Sequence, residues 1–183
     1  PEIVKKYRLG FCLEGKYKNR IIIPSYDEDG ELNYFIARTF KKKVNPPYLN
    51  PNADKNAIIF NEGLINWDGT IFLVEGAFEF LSFPVNTIPL LGKNLSAALF
   101  YKLLKHKPNI VIMLDPDARN DGIEIYDKLK AIYVQEEYKI KIVFLNKGNY
   151  DLDEIKRKIG KDEIIKQIYR ARKLQEEDYA LKK

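Results

Sequence analysis

The sequence predicts an α/β fold: a parallel sheet flanked by helices, with a small amino-terminal α+β lobe. Three observations predict it. From about residue 67 onward, short apolar runs alternate with segments of helix length. Three of those runs, at 71–74, 110–114 and 140–145, end close to carboxylates. Residues 1–66 differ in texture, with a hairpin pattern and loops rich in Pro and Lys. The expected division is a small lobe over 1–66, a sheet domain over 67–160, and a carboxyl-terminal helix or tail over 161–183.

The elements follow in order. Residues 20–23 (Arg-Ile-Ile-Ile) read as a short strand, Asp27-Glu28-Asp29-Gly30 as a turn, and 32–40 as a second strand paired with the first. The basic run Lys41-Lys42-Lys43 and a Pro-rich loop at 45–51 come next. The later part reads as strand 71–74, helix 76–83, strand 85–91, helix 95–105, strand 110–114, a helix near 121–136, strand 140–145 and a helix near 152–173. Continuous apolar runs of this length suit parallel strands buried on both faces. The end, Lys173 to Lys183, is highly charged and reads as more helix or as a frayed tail.

Composition narrows the chemistry. The chain has 183 residues, 45% of them hydrophobic, enough for a core. No apolar stretch approaches the roughly 20 residues of a membrane span, so no membrane partner is expected. One cysteine, Cys12, and one histidine, His106, exclude a disulfide framework and a Cys/His zinc site within this sequence. They also argue against Ser-His or Cys-His catalysis. The formal net charge of +5 suits a nucleic-acid partner and equally a solubilising surface.

The acidic tips are the most informative pattern. In open α/β sheets, ligands bind beyond the carboxyl ends of the strands. Glu75-Gly76, with Glu79 one helical turn on, Asp115-Pro116-Asp117 and Asp151-Leu152-Asp153 would then gather six carboxylates at one edge. Crowded carboxylates repel unless cations sit between them, and an all-oxygen ligand set suits Mg²⁺ or Mn²⁺ beside phosphates. Each motif also has a plain structural reading. Glu75 and Glu79 fit a helix start, Asp-Pro-Asp fits a turn, and Asp151 fits an N-cap, which is compatible with metal binding. Gly92-Lys93 follows a strand and suits phosphate contact or an exposed loop. Arg119 suits a triphosphate or a salt bridge to the acidic cluster. Arg20, Arg38 and Lys41 to Lys43, interleaved with Tyr34, Phe35, Phe40 and Tyr48, suit single-stranded template binding.

On these residues the chain resembles the TOPRIM domain, through Glu75-Gly76, Asp115-Pro116-Asp117 and their strands. It resembles more closely the catalytic core of bacterial-type (DnaG-like) primases. Glu75-Gly-Ala-Phe-Glu79, Leu90-Leu91-Gly92-Lys93 and Asp151-Leu-Asp153-Glu154 carry that likeness. So do, in the same order in the first lobe, Arg20-Ile-Ile-Ile-Pro24, Ile36-Ala37-Arg38, Tyr48-Leu49-Asn50-Pro51 and Ile59-Phe60-Asn61-Glu62-Gly63. The resemblance covers roughly residues 10–160. The chain departs from the family pattern where Pro47 and Glu62 replace basic residues and where Asp-Pro-Asp replaces the commoner Asp-Gly-Asp. These departures point to a viral or mobile-element source.

The resemblance implies a primase polymerase core that makes short RNA on single-stranded DNA with Mg²⁺ or Mn²⁺. It implies Glu75, Asp115 and Asp117 as catalytic residues, and Glu75, Glu79, Asp115, Asp117, Asp151 and Asp153 as metal ligands. Arg20, Arg38, Lys43, Gly92, Lys93 and Arg119 would meet nucleotide or template. Nucleoside triphosphates, single-stranded DNA and a replicative helicase are the implied partners. The implied location is the cytoplasm, at the nucleoid or replication fork, or the host cytoplasm for a viral chain. Two rivals stay open: a TOPRIM nuclease or topoisomerase fragment, and a noncatalytic DNA-binding replisome module.

Overall fold

The computed structural model describes residues 2–41, 43–136, 139–145 and 150–180. Lys42 of the basic run and the last three residues of the expected tail lie outside them. The chain divides into two compact units, Pro1–Leu64 and Ile65–Lys183.

The first unit is a three-stranded antiparallel sheet with a short helix before it. Helix α1 (Glu2–Lys6) precedes β1 (Gly10–Cys12), β2 (Arg20–Tyr26) and β3 (Leu32–Thr39), in the order β1-β2-β3. The β2–β3 turn is set by Asp27, whose Oδ1 accepts from the amides of Asp29 and Glu31 at 3.0 and 2.9 Å. Gly30 there takes φ +82°, a conformation most side chains resist. Ile23, Tyr34, Ile36, Ile58, Ile59 and Phe60 form the buried centre. Tyr34, read from sequence among the template aromatics, is therefore core. Phe35 is half-buried and packs edge-on against Tyr17 at 5.1 Å.

The second unit is the expected four-stranded parallel sheet flanked by helices. Strands β4 (Thr70–Val74), β5 (Thr87–Pro89), β6 (Asn109–Ile112) and β7 (Ile140–Ile142) lie in the order β5-β4-β6-β7, every pair parallel. The connections are α2 (Ala77–Ser82), α3 (Ala97–His106) and α4 (Arg119–Ile132). After β7 come α5 (Leu152–Lys158), α6 (Lys161–Tyr169) and α7 (Glu176–Ala180). The chain leaves β4 toward β5 and leaves β6 toward β7, in opposite directions. The strand order therefore reverses between β4 and β6, where open sheets form their ligand crevice. Ile71, Leu73, Ile110, Ile112 and Met113 are fully buried and hold this centre.

Strand β7 is shorter than the expected 140–145, and two further elements differ for visible reasons. The helix predicted over 152–173 is two helices, because Gly160 takes φ +117° between them. Beyond α6 the backbone extends, and Arg172 bridges Ile142 antiparallel, exchanging hydrogen bonds of 2.8 and 3.1 Å. The strand predicted over 85–91 is only Thr87–Pro89. Asn86 and Leu91 take positive φ on either side of it, and Asn86 is held there by bonds to Asn66 and Thr70. Among the described residues, no helix is long and apolar enough to cross a membrane.

Candidate metal centre

The carboxyl ends of β4 and β6 bring the acidic motifs together. Glu75 is the residue after β4. Gly76 then caps α2 with an extended backbone, and a Cβ at this position would lie 2.7 Å from Glu79 Oε2. Only a residue without a side chain lets the Glu79 carboxylate fold back this closely. Asp115 stands three residues past β6 with φ −62° and ψ 155°, the extended state favoured before a proline. Pro116–Ala118 makes a single tight turn into α4, leaving Asp117 exposed. Asp151 caps α5, its carboxylate accepting from the Glu154 amide at 2.6 Å.

Two carboxylate triads result among the described residues. Oxygens of Glu75, Asp115 and Asp117 lie within 4.8 Å of one another, as do oxygens of Glu79, Asp115 and Asp151. Asp115 belongs to both. Next to them, Asp115, Pro116, Asp117, Asp151 and Glu154 line a cavity of about 330 Å³. Burial, then the neighbouring charges of Glu79, Glu75, Asp151 and Asp117, push the Asp115 carboxyl up to about 7 from 3.8. Burial also raises Glu75, where Lys93 opposes it and Asp117 and Asp121 add to it. Glu79 is raised by burial and by Asp151, Glu75 and Asp153, against its own backbone hydrogen bond. Oδ1 of Asp115 and Oε2 of Glu75 are buried with no hydrogen-bond partner among the described residues. Buried carboxylate oxygens left unpaired among like charges are costly. A hard divalent cation, which takes oxygen ligands, removes both costs. The residues present fit Mg²⁺ or Mn²⁺.

Asp153 stands outside both triads. It accepts from Ser82 Oγ at 3.2 Å and from Arg157 Nε at 3.0 Å. Lys93 approaches the acids, 3.9 Å from Asp117 and 3.7 Å from Asp121, with Gly92 exposed before it. Arg119 turns to another partner. Its guanidinium lies 3.6 Å from the Phe144 ring centroid and bonds Asp178 at 3.0 Å. Asp178, 2% exposed, also takes two bonds from Arg172 at 2.6 and 2.9 Å and one from the Gln175 amide. Arg119 thus pairs with Asp178, outside the acidic cluster.

In the first unit, Arg20 is 4% exposed and donates to the carbonyls of Pro47, Pro46 and Ala37 at 2.7, 2.9 and 3.4 Å. Its guanidinium ties a loop to the sheet and presents no open face to a ligand. Arg38 is exposed and donates to Tyr48 Oη at 2.7 Å, and Lys41 and Lys43 are exposed. Sequence reasoning missed Ser82, Glu154, Phe144, Arg172 and Asp178. Only Glu154 carried a local signal, as part of the Asp151 motif.

Residues 72–156 match the family described as Toprim-like. The chain is 27% identical over 147 residues to the uncharacterized protein MG010 of Mycoplasma genitalium, covering 75% of this chain and 66% of that protein. Its structure is similar to the zinc-binding and RNA polymerase domains of the Aquifex aeolicus primase. The TM-score is 0.76 at 22% identity, over 95% of this chain and 53% of that one. It is equally similar to the DnaG primase catalytic domain bound to single-stranded DNA, with TM-score 0.76 at 18% identity, over 93% of this chain and 67% of that one. The chain thus spans between about half and two thirds of the length of these relatives. The fold is that of the bacterial-type primase catalytic core, with a Toprim-like unit.

Proposed function

We propose that this chain, a Toprim-like unit in a primase-core fold, is a primer-synthesising nucleotidyltransferase that makes short RNA on single-stranded DNA with Mg²⁺ or Mn²⁺. One observation carries the reading: two carboxylate triads share Asp115 where the strand order reverses. Glu75, Asp115 and Asp117 would hold one cation, and Glu79, Asp115 and Asp151 a second. Bound cations would neutralise the triphosphate and lower the barrier to attack by the primer 3′-hydroxyl.

The chain supplies the remaining work. In each addition the 3′-oxygen bonds the α-phosphorus, pyrophosphate leaves, and the hydroxyl proton must go to a base. Glu75, raised by burial and beside Asp115, suits that role as the alternative to holding the first cation. Lys93 sits across from Asp117 and Asp121 and would take a phosphate oxygen as its counter-charge. Exposed Arg38 and Lys43 suit phosphates of the template strand.

The test is incorporation of labelled ribonucleotides on single-stranded DNA with Mg²⁺ or Mn²⁺. Short products should appear with the natural chain and vanish with Asp115→Asn/Asp117→Asn. Products surviving in a folded double variant would overturn the metal assignment. Metal-dependent loss of the DNA, without synthesis, would replace the polymerase reading with a nuclease.

A further inference from the structure

A cation of the protein's own already stands at the acidic crevice. Lys93 Nζ lies 3.9 Å from Asp117 Oδ2 and 3.7 Å from Asp121 Oδ2. Asp117 belongs to the first carboxylate triad, and Asp121 to neither. The two aspartates stand four residues apart, one on the tight turn and the other on the first turn of α4, so a single lysine reaches both. Lys93 comes to them from the far side. It follows β5, which β4 separates from β6, and so it spans the end of β4 to meet Asp117. Leu91, just before it, takes φ +57°, a conformation that leucine resists and that persists where the surroundings demand it.

Fold stability does not account for this lysine. Its side chain is 43% exposed and both pairings are loose. Exposed ion pairs of that kind contribute little to folding. Its field acts on the site instead, since it opposes the rise of Glu75 that burial, Asp117 and Asp121 produce. A positive charge that eases ionisation of these carboxylates also repels a dication held by them. At about 6 Å in water, a single and a double positive charge repel enough to change an equilibrium roughly tenfold.

We infer that Lys93 is a tethered counter-ion of the first triad, which competes with the divalent cation for Asp117 and steps aside to Asp121 when the cation enters. The metal-free crevice is thereby held partly neutralised. Its affinity for a free cation is set below what the three carboxylates alone would give. Transfer of Lys93 to a phosphate oxygen would release Asp117, so cation and triphosphate would favour each other's binding. The inference rests on the reading of the triads as a metal centre and adds to it the roles of Lys93 and Asp121.

The experiment is titration of the chelator-stripped chain with Mn²⁺ at low ionic strength, without nucleotide, with free Mn²⁺ followed by electron paramagnetic resonance. Lys93→Gln should bind Mn²⁺ roughly tenfold more tightly than the natural chain. Lys93→Arg keeps the charge and should stay close to the natural value. Loss of a merely structural ion pair would weaken metal binding or leave it alone, so the direction of the change is diagnostic. Lys93→Met serves if the glutamine variant fails to fold. Lys105→Gln, in the last turn of α3 just before β6 and so at the other end of the sheet, controls for net charge and should change little. Asp121→Asn should weaken binding in the natural background and matter less in the Lys93→Gln background, where no lysine needs that resting place. Equal effects in the two backgrounds overturn the role of Asp121. A Lys93→Gln chain that binds no more tightly than the natural one, with binding still lost in Asp115→Asn/Asp117→Asn, overturns the inference and leaves the metal centre standing. Binding retained by that aspartate double variant, or absent from the natural and Lys93→Gln chains alike, overturns the metal centre and the inference with it.

Discussion

The two units treat buried charge in opposite ways. In the first, Arg20 is withdrawn from solvent, and three carbonyls receive its guanidinium. In the second, Glu75 and Asp115 bury carboxylate oxygens that no hydrogen-bond donor among the described residues satisfies. Asp178 shows that the second unit can do what the first does, since two arginines and an amide saturate it. A satisfied buried ion is part of the scaffold, and an unsatisfied cluster of like charges is a site waiting for a counter-ion. The contrast separates structural from functional residues more sharply than residue type does.

The largest expected effect tests the unsatisfied side. Asp115→Asn/Asp117→Asn should lower incorporation by at least about 10²–10³-fold. The same change removes repulsion, so the variant should melt at a higher temperature than the natural chain in EDTA. A lower melting temperature there would break the contrast. Next is the satisfied ion of the second unit. Asp178→Ala leaves two half-buried arginines without their partner and should cost about 2–3 kcal/mol in denaturant unfolding. Arg20→Met strips charged donors from the Pro46, Pro47 and Ala37 carbonyls and should cost about 2 kcal/mol in the same assay.

The pH dependence sharpens the contrast most. Asp115 titrates near 7 in the fold against 3.8 for an ordinary aspartate. The folded state therefore holds the proton more tightly. Its stabilising effect is full below about pH 4 and is lost as pH rises through 7. Asp178 runs the other way. Burial raises it, but Arg172, the Gln175 amide and Arg119 outweigh that and hold it below the usual aspartate value. Its contribution is present above about pH 4 and lost on acidification. Melting curves of the EDTA-treated protein from pH 4 to 8 should decline by several degrees toward neutrality. Added Mg²⁺ or Mn²⁺ should reverse that decline, most of all above pH 7.

What could be read from the sequence was whatever is local. Apolar runs that end in Glu75 and Asp115 announce both the parallel sheet and the acidic crevice, because strand and ligand are neighbours in the chain. Gly160 was visible as a glycine inside a helical pattern, and its positive φ does divide the predicted helix. Arg20 and Arg38 look alike in sequence. Only the register and the path of the 46–50 loop bury one and leave the other in solvent. Asp178 gave no sign of itself, because its partner Arg119 is 59 residues away and its own segment reads as a charged tail.

The antiparallel bridge from Arg172 to Ile142 has a consequence for colloidal behaviour. β7 is an outer strand of the parallel sheet, and an uncovered outer strand offers its free amides and carbonyls to any passing chain. The backbone of Arg172 occupies that ladder at Ile142, and the Asp178 clamp holds it there. Cleaving the polypeptide between α6 and Arg172 would loosen that cover and offer the outer amide and carbonyl of Ile142 to another chain, with exposed Lys141 as the remaining guard against self-association.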